Sequence, residues 1–134
     1  MSKEGGKIIL KELIISIVII IVIVIGNIFT GNFIDSKLEH IVSLLNEVNP
    51  VLEAEDYDKA RDKISEIRDY FNESEAVLSC YVEHDELEKV KSSLVLLESY
   101  VKMESDDAFS EANQMEFVIK HIEEKDDMKI KNIF

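Results

Sequence analysis

Glycine is scarce in this sequence, and where it stops is informative. There are four glycines in 134 residues, and none follows Gly31. Proline occurs once, at Pro50. A β protein needs glycine and proline to punctuate its turns, so the long segment after Gly31 does not read as a sandwich or barrel. Tryptophan is absent and cysteine occurs once, as Cys80. One cysteine excludes an internal disulfide; its default role is that of a small buried apolar residue, with an intermolecular disulfide as the alternative. Positive charge is also short: 15 Lys and Arg stand against 28 Asp and Glu, a net charge of −13. That balance disfavours nucleic acid as a partner, because phosphates are neutralised by Lys and Arg. It also disfavours close adsorption to anionic lipid.

What the chain has in abundance is one apolar run. Leu13 to Phe33 reads LIISIVIIIVIVIGNIFTGNF and carries no charge. As a helix it would be about 31 Å long, the thickness of a bilayer's hydrocarbon core. Its Ile and Val favour strand in water, but in lipid only a helix satisfies the backbone of a lone segment. A cleaved signal peptide is the first alternative. Its apolar region is shorter and ends at a small-x-small site, and no such site follows here. A buried helix of a soluble protein is the second. The expected address is therefore the cell membrane, crossed once by an uncleaved signal-anchor. Lys3, Lys7 and Lys11 precede the run and acids dominate after it, which predicts a cytoplasmic amino terminus and an extracytoplasmic domain. Within the run, Gly26 and Thr30, and Asn27 and Gly31, are small or polar pairs at i, i+4. They are candidate contacts to another membrane helix, or they mark the outer interface.

Three of the 15 cations and two of the 28 acids precede the run, so the segment from Ile34 carries 12 and 26, a net charge of −14. Its apolar pattern is helical. Ile34, Leu38, Ile41, Leu45, Val48 and Leu52 form one stripe, with a kink or end expected between Asn46 and Pro50. Asp56 is the expected N-cap of a second stripe through Tyr57, Ala60, Ile64, Ile67 and Phe71. Asn72, Glu73 and Ser74 interrupt it. Asn72 with Glu75 resembles a capping box, although an unbroken helix also fits. A third stripe takes in Val77, Cys80, His84, Leu87, Val90, Leu94, Leu97 and Val101. Glu104 to Asp107 supply caps for a fourth, through Ala108, Ala112, Met115, Ile119 and Ile122. The closing MKIKNIF alternates and predicts an extended tail. Shifted by 52 residues, Leu45, Val48, Tyr57, Ala60 and Ile67 fall on Leu97, Tyr100, Phe109, Ala112 and Ile119, a faint repeat. The expected fold is all-α: a membrane helix followed by two αα-hairpins closing into a small antiparallel four-helix bundle. The boundaries are 1–12 for a cytoplasmic tail, 13–33 for the span, 34–126 for the acidic bundle and 127–134 for a tail.

His84 is the polar residue of most interest, because it falls on the third stripe. It is a core histidine, a pH switch or a ligand. No metal is expected: di-iron bundles place Glu three residues before His, and Lys37, Tyr81 and Val118 hold those positions. Cys80 and His84 share a face at i, i+4, but lack a third group to orient them as a nucleophile and base. No glycine-rich phosphate loop and no HExxH occur. Neither catalysis nor a cofactor is expected.

DYDKA from Asp56, VEHDELEKV around His84, and the ending KNIF, together with the apolar run, resemble domain-of-unknown-function family 4363, small single-pass membrane proteins of Gram-positive bacteria. The resemblance matches Tyr57 after Asp56, the pair Glu83 and His84, and Asn132, Ile133 and Phe134. It implies a helical membrane protein and no assigned activity. The combined expectation is a non-enzymatic accessory or assembly subunit of a membrane or cell-envelope complex. Its partners would be the bilayer and another membrane protein, with a homo-oligomer less favoured. The alternative is an extracytoplasmic sensor signalling through the span with a partner.

Overall fold

The structure is a computed structural model that describes residues 3–133, and of residues 126, 127 and 129–133 the backbone alone. The described residues form four helices and no strand: α1 (Lys3–Glu53), α2 (Tyr57–Leu78), α3 (His84–Lys102) and α4 (Asp107–Ile133). The chain divides into two compact units, Met1–Phe33 and Ile34–Phe134. In the first unit, large apolar side chains from Ile8 to Phe33 are exposed all round the helix. A helix apolar on every face suits lipid rather than water.

The second unit is the bundle. Its core takes the stripe residues of α1 from Ile34 to Leu52, with Ala60, Ile64, Ile67 and Phe71 of α2, Leu87, Val90, Leu94, Leu97 and Val101 of α3, and Ala108 to Ile122 of α4. Helix α2 packs on α3 and α3 on α4. The α1–α2 hairpin is marked by Lys63 Nζ donating to Glu47 at 3.1 Å.

Of the kink or end expected between Asn46 and Pro50, the end does not occur, since α1 runs through Pro50 to Glu53. Proline removes one N–H, so only the Asn46 carbonyl loses its helical donor. Pro50's own carbonyl still accepts from Ala54 N at 3.1 Å, and buried Val48 and Leu52 hold the last turn against the core. The helix then closes as a Schellman motif: Glu55 N donates to Leu52 O at 3.0 Å and Asp56 N to Val51 O at 3.1 Å. Asp56 caps α2 as expected, its Oδ1 accepting from Lys59 N at 3.3 Å. The α3–α4 turn repeats the motif, with Glu104 N on Val101 O and Ser105 N on Tyr100 O. Ser105 Oγ then accepts from Asp107 N at 3.2 Å. The two hairpins thus share a turn design, but their left-handed residues, Glu55 and Glu104, are 49 apart, not the 52 of the core repeat.

Of the two readings open at Asn72–Ser74, the unbroken helix holds there: α2 continues to Leu78. Ser74 is 2% exposed, so the buried row runs Phe71, Ser74, Leu78 without a gap. The break falls at 79–83, where Val82 turns inward and its N–H reaches Leu78 O at 2.8 Å. The expected third stripe is therefore cut, with Val77 on α2 and Cys80 in the turn. Finally, α4 is helical through 127–133, where an extended tail was expected. Adding residues to an existing helix needs no new nucleus, and neither glycine nor proline intervenes. Phe134 lies outside the described residues.

Candidate functional site

His84 is the first residue of α3, next to the N-cap Glu83, and it is exposed. The core-histidine expectation therefore fails: once the chain turns at 79–83, position 84 opens a new helix instead of continuing an old stripe. Cys80 is exposed too, which overturns its expected burial. Its thiol donates to Ala76 O at 3.4 Å. The two residues lie in a turn and in the following helix, so the i, i+4 face that paired them on paper does not exist.

Among the described residues, the buried ionisable side chain lies outside the expected stripes. Glu86 on α3 is 6% exposed. Its Oε1 accepts from Lys125 Nζ of α4 at 3.0 Å, and Lys89 Nζ stands 3.6 Å away. Its Oε2 is buried with no hydrogen-bond partner. The Lys125 hydrogen bond holds the carboxyl below its ordinary range against the opposing effect of burial, helped by the charges of Lys125, Lys89 and His121. The signal in the sequence was Val82, Glu86, Val90 and Leu94, an unbroken step of four. Chemically this is a clamp between two helices, with its carboxylate committed to lysines.

Other charges also join helices. A groove of about 530 Å³ between α2 and α3 has Ile64 and Val101 among its lining, with Arg61, Arg68, Glu98 and Lys102. Arg61 binds Asp58 at 2.7 Å and reaches Glu104 at 3.5 Å. Arg68 binds Glu98 at 3.3 Å and Ser65 Oγ at 3.0 Å. Lys91 pairs with Glu75 across the same helices. Between α1 and α2, the His40 and Tyr70 rings are 4.3 Å apart, and the Lys37 ammonium lies 5.3 Å from the centre of the Tyr70 ring. At the hairpin end bearing Glu55 and Ser105, burial and then the charges of Asp106, Glu55 and Glu104 raise the Tyr57 phenol above its ordinary range. Among the described residues no group of three or more His, Cys, Asp and Glu could hold a metal ion.

In the apolar helix, Thr30 Oγ donates to Gly26 O at 2.8 Å and Ser16 Oγ to Glu12 O at 2.9 Å. These hydroxyls are satisfied within the helix. Asn27 is exposed, and a β-carbon at Gly26 would meet nothing within 4 Å. Helix α1 is long and apolar enough to cross a membrane, and none of its apolar window is buried.

No curated protein and no solved structure matches this chain. The family model described as Domain of unknown function (DUF4363) matches residues 28–133, and the chain belongs to that family.

Proposed function

We propose that the apolar part of α1 anchors this protein in a cell membrane by a single crossing, with the amino terminus in the cytoplasm and the bundle outside. In this reading the bundle is a non-enzymatic accessory or assembly subunit, held beside another membrane protein. The carrying observation is the contrast between the two units: the first exposes aliphatic side chains on all sides, while the second has its own core. Burying the first in lipid removes its exposed apolar surface from water. The three lysines before the span support the orientation. The accessory role is supported by how polar groups are used. Glu86, Arg61 and Arg68 tie one helix to another, and His84 and Cys80 stand apart from them on the surface.

The test has two readouts. Alkaline washing should leave the protein in the membrane pellet, and a membrane-impermeant maleimide should label exposed Cys80 on intact cells. Release by alkali would overturn the anchor. Labelling only after lysis would reverse the orientation.

A further inference from the structure

The bundle's surface is divided by chemistry. Along the outward face of α2, Asp58, Asp62, Glu66, Asp69 and Glu73 step by 4, 4, 3 and 4 and are all exposed. The outward face of α3 is the opposite. Between Ser92 and Met103 its exposed residues are Ser92, Val95, Leu96, Ser99 and Met103, plus Lys102, which lines the α2 groove. Val95 is 62% exposed and Met103 66%. The neighbouring stretch of α4 continues the pattern: Ser110, Asn113, Gln114 and Phe117 are exposed and uncharged, with Phe117 at 67%. Three half-buried acids lie in these stretches: Glu98 pairs with Arg68, Glu116 pairs with Lys120, and Glu111 is the third. Ser92 and Gln114 line one shallow groove between the two helices.

From this division we infer that the α3–α4 outer side, centred on Leu96 and Phe117, docks a helix of a partner protein whose apolar face is edged with Lys or Arg. Three observations fix that occupant. Ser92, Leu96, Ser99 and Met103 step by 4, 3 and 4, the seam spacing that accepts a helix, and the two serines keep the seam shallow. Exposed Phe117 and Met103 supply the large side chains that anchor such contacts. The rim is net acidic at both ends, with Asp85 and Glu88 against Lys89 at one and Glu104, Asp106 and Asp107 against Lys102 at the other, all exposed. A basic edge complements that rim, whereas a second copy would set carboxylates against carboxylates. The inference rests on the accessory-subunit reading and names the surface that reading needs.

The test is photo-crosslinking of the full chain in its own membrane. Benzoylphenylalanine replaces Val95 or Phe117, with Asp62 and Asp69 as controls on α2. The expected result is one heterologous adduct from positions 95 and 117, at least tenfold stronger than from 62 or 69. Its crosslinked peptide should carry apolar side chains flanked by Lys or Arg. A homodimer adduct, an acidic crosslinked peptide, no adduct, or equal yields from both faces overturns the inference. In a second arm, Val95→Glu with Phe117→Glu should cut the adduct from a probe at Leu96 at least tenfold while the melting of the bundle is unchanged. If this double variant stays in a complex of unchanged size, docking through α3–α4 is overturned and the accessory reading survives through the span. A wild-type protein that runs as a single copy in mild detergent overturns both.

Discussion

Glu55 and Glu104 hold the same left-handed backbone, with φ of 57° and 53°, at the position that closes the first helix of each hairpin. A β-carbon is disfavoured there, and helices usually place glycine at this site. Both residues also set a negative charge at the negative end of a helix dipole. The scarcity of glycine noted in the sequence therefore carries a local cost at two known places.

Replacing Glu55 with glycine should stabilise the bundle by about 1 kcal/mol, the scale of the left-handed penalty, and Glu104→Gly should gain less because it also gives up the contact with Arg61. Glu55→Asn should give part of that gain, because asparagine tolerates the conformation. Thermal melts of the full chain in detergent provide the measure. Equal or lower melting of both glycine variants would mean that the turns are not built this way.

The Glu86–Lys125 clamp predicts a pH window. The folded Glu86 carboxyl lies below its ordinary value of 4.5, so its stabilisation is complete above that value and is lost as pH falls through the folded pKa. Lys125 is raised above its ordinary 10.5 by the hydrogen bond to Glu86. Its stabilisation is complete below 10.5 and is lost as pH rises through the folded value. Glu86→Gln should therefore lower the melting temperature most between those limits, and the difference from wild type should shrink in acid. A difference that grows in acid would place the carboxyl in some other environment.

His84 should tolerate a charge. Surface substitutions usually change stability by less than about 0.5 kcal/mol, and an acid in a helix's first turn is favourable. His84→Asp should leave the melt unchanged or slightly raised. Phe71→Ala, at a fully buried site, should cost about 3–5 kcal/mol. A large loss from His84→Asp would restore the core reading.

The contrast shows which parts of the fold were legible. Stripes of Leu, Ile and Val in α1, α2 and α4 report burial directly, because large aliphatic side chains gain most by leaving water. The α2–α3 junction was hidden for the same reason in reverse. Ser74 is small enough to occupy a core position despite its hydroxyl, so a polar triplet looked like a break where none exists. Val82 lies in the turn at 79–83, yet it is buried one step of four ahead of Glu86 and Val90, so the buried row of α3 begins before the helix does. Glu86 was passed over because a buried carboxylate depends on lysines 3 and 39 residues away, and spacing along one helix does not show the second. The candidate surface on α3–α4 was likewise unreadable, since it is defined by which uncharged residues the core leaves outside.

The span offers the last prediction. Of its paired residues, Thr30 already gives its hydroxyl to the Gly26 carbonyl, so it has no need of a neighbour. Asn27 is exposed, and its carboxamide is suited to bond a second helix. An interhelical hydrogen bond in a membrane contributes about 0.6 kcal/mol on average, a modest amount that close packing at glycine can reinforce. Thr30→Val should therefore leave association unchanged, whereas Asn27→Leu with Gly31→Leu should weaken it. The bundle keeps its own core from Ile34 onward, so its melting should not respond to either change. Complex size in mild detergent and melting of the same samples separate the two effects. If the double substitution leaves the complex intact, the span is an anchor alone and the partner is held by the bundle. If it lowers the melt as well, residues 27–31 contribute to folding of the bundle and the two units are not independent.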